Sequence, residues 1–115
     1  MKGGMKYNQR DIVLVPFPYS DLTAIKQRPA LIISNKKLNK SQDRLCCLIT
    51  SVPSKDGILI KKKDFEEGRL PFESWIKPHR IFSVDIKVIR RKLGKVEGSF
   101  YESVVKGINR YLRRD

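Results

Sequence analysis

Apolar residues in this chain come in short bursts. Residues 11–15 (Asp-Ile-Val-Leu-Val), 30–33 (Ala-Leu-Ile-Ile), 45–51 (Leu-Cys-Cys-Leu-Ile-Thr-Ser) and 58–60 (Ile-Leu-Ile) are rich in β-branched side chains, and prolines, glycines and polar residues separate them. Each burst is strand-sized, and a membrane span would need about 20 apolar residues in a row. The bursts predict strands. Pro16, whose ring cannot donate to a ladder, is expected to close the first, and Pro29 to open the second after a polar connection running to Gln27. Residues 72–77 around Trp75, 81–83 and 88–93 add further extended pieces. So many closely spaced strands predict a small barrel or sandwich that removes its edges by closure.

One segment has a different period. Ser99-Phe100-Tyr101-Glu102 fits a capping box with Ser99 as N-cap. Phe100, Val104, Ile108 and Tyr111 then follow at helical spacing and make an apolar stripe that can lie on the barrel. Lys106, Arg110, Arg113 and Arg114 fall toward the end of this helix, where its dipole favours cations. A chain of 115 residues has room for one domain. Residues 1–9 are expected as a loose N-terminal extension, with Met5 a second candidate start.

Charge narrows the function. Lys and Arg total 25 against 12 Asp and Glu, a net charge of +13. A polyanion that releases counterions on binding is the simplest partner for such a field. The cations cluster at Lys36, Lys37 and Lys40, at Lys61, Lys62 and Lys63, and at Arg90, Arg91, Lys92 and Lys95. Phe17, Tyr19, Trp75 and Phe82 offer surfaces for stacking unpaired bases, although Trp75 and Phe82 equally suit a core. Cys46 and Cys47 are strand neighbours pointing to opposite faces, so they read as reduced core thiols. With no hydrophobic stretch behind the basic N-terminus to act as a secretion signal, the expected compartment is the cytoplasm. His79 is the only histidine; it has no supporting motif as a base and no companions as a metal ligand, so no metal or cofactor is expected.

Single-stranded RNA changes what catalysis requires, because its 2′-hydroxyl is an internal nucleophile beside the scissile phosphate. A protein site then needs a cation for the charge building on phosphorus, a donor near the leaving 5′-oxygen and a proton acceptor. Arg28, and Thr50-Ser51 at the end of the third strand, are of suitable type. A loop ion pair and a plain strand end explain the same residues, so chemistry alone leaves the assignment open.

The order of several motifs adds to this. Residues 11–21 (Asp-Ile-Val-Leu-Val-Pro-Phe-Pro-Tyr-Ser-Asp), 28–34 (Arg-Pro-Ala-Leu-Ile-Ile-Ser), Ile49-Thr50-Ser51 and Ser74-Trp75-Ile76-Lys77 before residues 81–85 resemble the MazF/PemK toxins over about residues 10–112. The resemblance implies a mainly β, SH3-like small barrel with a C-terminal helix, a homodimer, and an acidic antitoxin as partner. It also implies metal-independent, sequence-selective cleavage of single-stranded RNA that leaves 2′,3′-cyclic phosphate and 5′-hydroxyl ends. By the same resemblance Arg28 and Thr50 are the catalytic pair and Ser74 matches a family serine near bound RNA; Phe17, Tyr19, Ser20, Ser51, Lys62, Arg80 and Arg91 are the further residues expected against RNA. Lys62 and Arg91 are expected to hold phosphates, and the 17–27 connection with Arg80 to read bases. Arg80 stands where the family often has glutamine, and residues 22–27 lack the Gly and Glu common in better-known members. A related toxin group uses this barrel to bind DNA gyrase, and a non-catalytic RNA-binding barrel is a third reading, since fold alone does not fix function.

Overall fold

β1 (Asp11–Pro18) and β2 (Ile25–Ile32) form an antiparallel pair in which Ile12 faces Leu31 and Phe17 faces Lys26. They are the centre of a computed structural model that describes residues 6–18 and 25–115. β3 (Asp43–Thr50), β4 (Ile58–Ile60), β5 (Phe65–Gly68), β6 (Ser74–Asp85) and β7 (Arg91–Val96) complete one antiparallel sheet of order β4-β6-β3-β2-β1-β7-β5. A short helix α1 (Lys36–Asn39) joins β2 to β3, and α2 (Gly98–Leu112) ends the chain. The mainly β fold with a C-terminal helix is as expected, but the sheet curls into a half-barrel instead of closing. Among the described residues, β4 and β5 remain edges.

Both prolines expected to end strands lie inside them. Pro16 pairs with Gln27, and Pro29 pairs with Leu14. The ladder explains the tolerance: β1 meets β7 only from Asp11 to Leu14, and β2 meets β3 only from Ala30 onward. Each proline therefore sits where its strand has one neighbour, so a missing N–H breaks no second ladder. Residues 25–27, expected in a connection, thereby become strand. The separate pieces at 72–77 and 81–83 fuse into β6, where register jumps from Ile49↔Ile76 to Cys47↔Ile81 and the segment 77–80 bulges opposite Leu48.

Alternation divides the sheet into two apolar faces. Ile12, Leu31, Cys47, Ile49, Ile60, Ile76 and Val96 pack beneath Phe100, Val104 and Ile108 of α2. The other face buries Val13, Val15, Ala30, Ile32, Cys46 and Ile89, with Tyr7 and Phe82 against them. The helical stripe holds at three of its four positions, while Tyr111 is exposed. The capping box does not form: α2 begins one residue before Ser99, with Glu97 at the N-cap and no side-chain cap bond. The Glu97 N–H instead donates to the Asp64 carbonyl at 2.8 Å, which ties the helix start to the chain beside β5.

Lys6 to Arg10, the described start of the chain, are firmly held. Arg44, fully buried, donates from Nη2 to the Lys6 carbonyl and from Nε to the Tyr7 carbonyl, both at 2.7 Å, and from Nη1 to the Ser41 and Asp43 carbonyls. Burial lowers its pKa, and four carbonyl acceptors stand in for a carboxylate. Gln9 donates to the Ile33 carbonyl and to the Tyr101 hydroxyl, and that hydroxyl donates to the same carbonyl at 2.8 Å. Arg10 reaches Glu66 at 2.9 Å.

Candidate nucleic-acid interface

Arg28 lies on β2 opposite Val15, half-buried. In the β2–β3 ladder Ala30 faces Leu48, Leu31 faces Cys47 and Ile32 faces Cys46. The ladder ends at Ala30 and Leu48; the same register continued by two residues would bring Arg28 opposite Thr50, the final residue of β3, and alternation puts both on the sheet face of Ala30 and Cys46. Thr50 Oγ1 accepts the Val52 N–H at 3.1 Å. That bond uses an oxygen lone pair and leaves the hydroxyl proton available to a ligand.

A groove of about 330 Å³ is lined by Arg28, Ser51, Phe72, Ser74 and Arg91 among others. Thr50 is not among its lining residues. A larger groove of about 630 Å³ lies between the two open edges, with Lys61, Lys62 and Arg69 along it. The two grooves share Leu70, Pro71, Phe72 and Ser74. Lys62 therefore borders one groove and Arg91 the other. Lys62 sits in a 3₁₀ turn after β4 instead of on a strand, and Asp64 shapes that turn by accepting the Lys61 N–H at 2.8 Å.

Other candidates fare differently. Ser74 is buried, and its hydroxyl donates to the Phe72 carbonyl at 2.7 Å. Phe17 packs edge-on against Phe82 with ring centroids 5.5 Å apart, so the two form one half-buried aromatic pair. Arg80 is exposed in the bulge of β6. Tyr19 and Ser20 lie outside the described residues. Lys92, grouped with Arg91 by sequence, is engaged: Nζ is 3.0 Å from Glu67 and 3.4 Å from buried Asp11, and the Glu67 hydrogen bond raises its pKa above the usual lysine value. His79 stacks near Tyr111 of α2, with centroids 5.9 Å apart. Cys46 and Cys47 are buried free thiols, each pushed up to about 12 by burial. Among the described residues no three His, Cys, Asp or Glu side chains gather as a metal site, and no helix is long and apolar enough to cross a membrane.

Phe72 was missed as a candidate. In the sequence it opens an apolar stretch and looks like strand core, yet it is 72% exposed. The proline immediately before it was the available signal, because Leu70-Pro71-Phe72 reads as well as a turn as the start of a strand.

Comparison with known proteins agrees with this architecture. Solved structures with the same fold include an endoribonuclease in complex with its cognate antitoxin from a mycobacterial species, at a TM-score of 0.75 and 15% identity, covering 91% of this chain and 93% of that one. A MazE-MazF complex from Deinococcus radiodurans aligns at a TM-score of 0.75 and 16% identity over 96% of this chain and 97% of its own. The Mycobacterium tuberculosis toxin MazF-mt6 aligns at 0.72 and 16%, over 92% and 99%. No curated protein matches the sequence. The model of the PemK-like, MazF-like toxins of type II toxin-antitoxin systems matches residues 8–112, nearly the whole described sheet and its helix, and the chain belongs to that family.

Proposed function

We propose that this chain is the endoribonuclease of a toxin–antitoxin pair, cutting single-stranded RNA without a metal. In the step envisaged, the 2′-oxygen forms a bond to phosphorus, the bond from phosphorus to the 5′-oxygen breaks, and the 2′-hydroxyl proton passes to an acceptor while the 5′-oxygen gains one. The products are a 2′,3′-cyclic phosphate and a 5′-hydroxyl. Arg28 offsets charge on the pentacoordinate phosphate and the Thr50 hydroxyl donates toward an oxygen of that centre. The observation that best supports this reading is the β2–β3 register, which, continued two residues past its last pair, would bring a cation and a hydroxyl to one end of the same sheet face.

Support also comes from charge. A net +13 with cations along both grooves suits a polyanion. The MazE-MazF complex and the mycobacterial complex contain antitoxins, and by analogy an acidic antitoxin covering the cationic rim would restrain this chain while charge complementarity speeds the encounter. A homodimer and a cytoplasmic location belong to the same proposal.

Incubating the protein with mixed-sequence single-stranded RNA in EDTA tests the reading. Cleavage should persist, yield 5′-hydroxyl ends and stop when deoxyribose replaces ribose at the cut site. Products with 5′-phosphates would overturn the mechanism. Binding without cleavage would favour the RNA-binding barrel, and no RNA activity with gyrase inhibition would favour the protein-poison reading.

A further inference from the structure

We propose that Phe72 is a stacking platform for an unpaired base flanking the cleaved phosphate, positioned where the two cationic grooves meet. The proposal rests on the RNA-directed reading above and extends it to a named subsite. Phe72 is the most exposed large apolar side chain among the described residues. An isolated exposed ring needs no explanation, but this one sits on a shared wall of both grooves. Among the lining residues Lys61, Lys62, Arg69, Arg28 and Arg91 set five cations against one carboxylate, Glu73. An aromatic face beside a positively charged track is the arrangement by which proteins hold single strands, the rings stacking bases while cations follow the backbone.

The ring is exposed on a fixed backbone. The loop that carries it leaves β5 at Gly68, whose φ of 73° turns the chain where a Cβ would stand 2.4 Å from the Leu93 carbonyl oxygen. Leu70 then packs against the main core, and Ser74 clamps the Phe72 carbonyl. A platform held at both ends loses little freedom on binding, which favours it over a mobile loop aromatic. The grooves, at about 330 and 630 Å³, are within the range that encloses small-molecule-sized groups such as a base.

The test compares Phe72→Ala and Phe72→Trp with the unaltered protein. The probes are a mixed-sequence 2′-O-methyl RNA oligonucleotide, which cannot be cleaved, and an oligonucleotide of the same length with abasic residues. Phe72→Ala should bind the first about tenfold more weakly, the abasic probe equally well, and keep the same salt slope, while Phe72→Trp retains affinity. Equal losses on both probes, or no loss on either, would overturn the platform. So would unchanged RNA binding with weakened antitoxin binding, which would make Phe72 part of a protein interface. If the unaltered protein neither bound nor cut RNA, the functional reading itself would fall. If it did both and Phe72→Ala matched it, only this subsite would.

Discussion

Thr50 and Trp75 face each other across the last pair of the β3–β6 ladder. Trp75 also faces Leu59 of β4, and a Cβ on Gly57 would stand 2.9 Å from the Trp75 Cβ. The end of β3 is therefore held by a strand that is itself paired on its far side. A hydroxyl at a pinned strand end keeps its position when a substrate arrives, which is what stabilisation of a transition state requires.

The catalytic assignment predicts a split between rate and affinity. Arg28→Ala should lower the single-turnover cleavage rate by roughly 10²–10³-fold while changing affinity for an uncleavable RNA by less than about threefold, because its work is done in the transition state. Thr50→Val keeps the β-branched shape and removes the hydroxyl, and should likewise act on rate. Equal losses in binding and rate would make Arg28 a positioning residue.

Lys62 and Arg91 border different grooves, so their phosphate contacts should be independent. Lys62→Gln and Arg91→Gln should each flatten the plot of log affinity against log salt by roughly 0.7, and the double variant by about twice that. Lys92→Gln should not, since its ammonium is engaged by Glu67 and Asp11. A titration of 2′-O-methyl RNA across a salt series checks all of these.

The buried thiols make alkaline stability predictable. Both are pushed from 9.0 up to about 12 by burial, so between these values the unfolded chain releases protons that the folded chain keeps. Stability is then fully present below pH 9 and falls as pH rises toward 12. Denaturant midpoints at pH 7 and pH 10 should differ in that sense. Cys46→Ala/Cys47→Ala should reduce the difference, and a thiol reagent at pH 8 should label the cysteines only after unfolding.

Gly68 and Gly98 should respond oppositely to alanine. At Gly68 the positive φ and the Leu93 carbonyl oppose a Cβ, and Gly68→Ala should cost roughly 2–4 kcal/mol. Nothing lies within 4 Å of a Cβ at Gly98, which opens α2, so Gly98→Ala should be neutral or stabilising by up to about 1 kcal/mol. Thermal unfolding of the two variants measures both.

Local pattern carried a definite part of this protein. β4 coincides with the Ile58-Leu59-Ile60 run, the two cysteines are buried on opposite faces, and Phe100, Val104 and Ile108 form the buried stripe of α2. These follow from side-chain period and burial, which one chain segment expresses by itself. Arg28 and Thr50 were legible as types, because a cation and a hydroxyl at strand ends can be read from composition and spacing.

Pairing decided the rest. β5 (Phe-Glu-Glu-Gly) has no apolar alternation and is a strand because β7 offers it a ladder, with Gly68 and Gly94 allowing close approach. Pro16 and Pro29 are tolerated in strands because neighbouring ladders stop short of them, and the barrel stays open because β4 and β5 do not meet. The proposed juxtaposition of Arg28 and Thr50, 22 residues apart along the chain, depends on the register of β2 against β3. The exposure of Phe72 depends on which surfaces the folded sheet leaves uncovered. Hydrogen-bond partners and solvent exposure are relations between distant segments, and no local period encodes them.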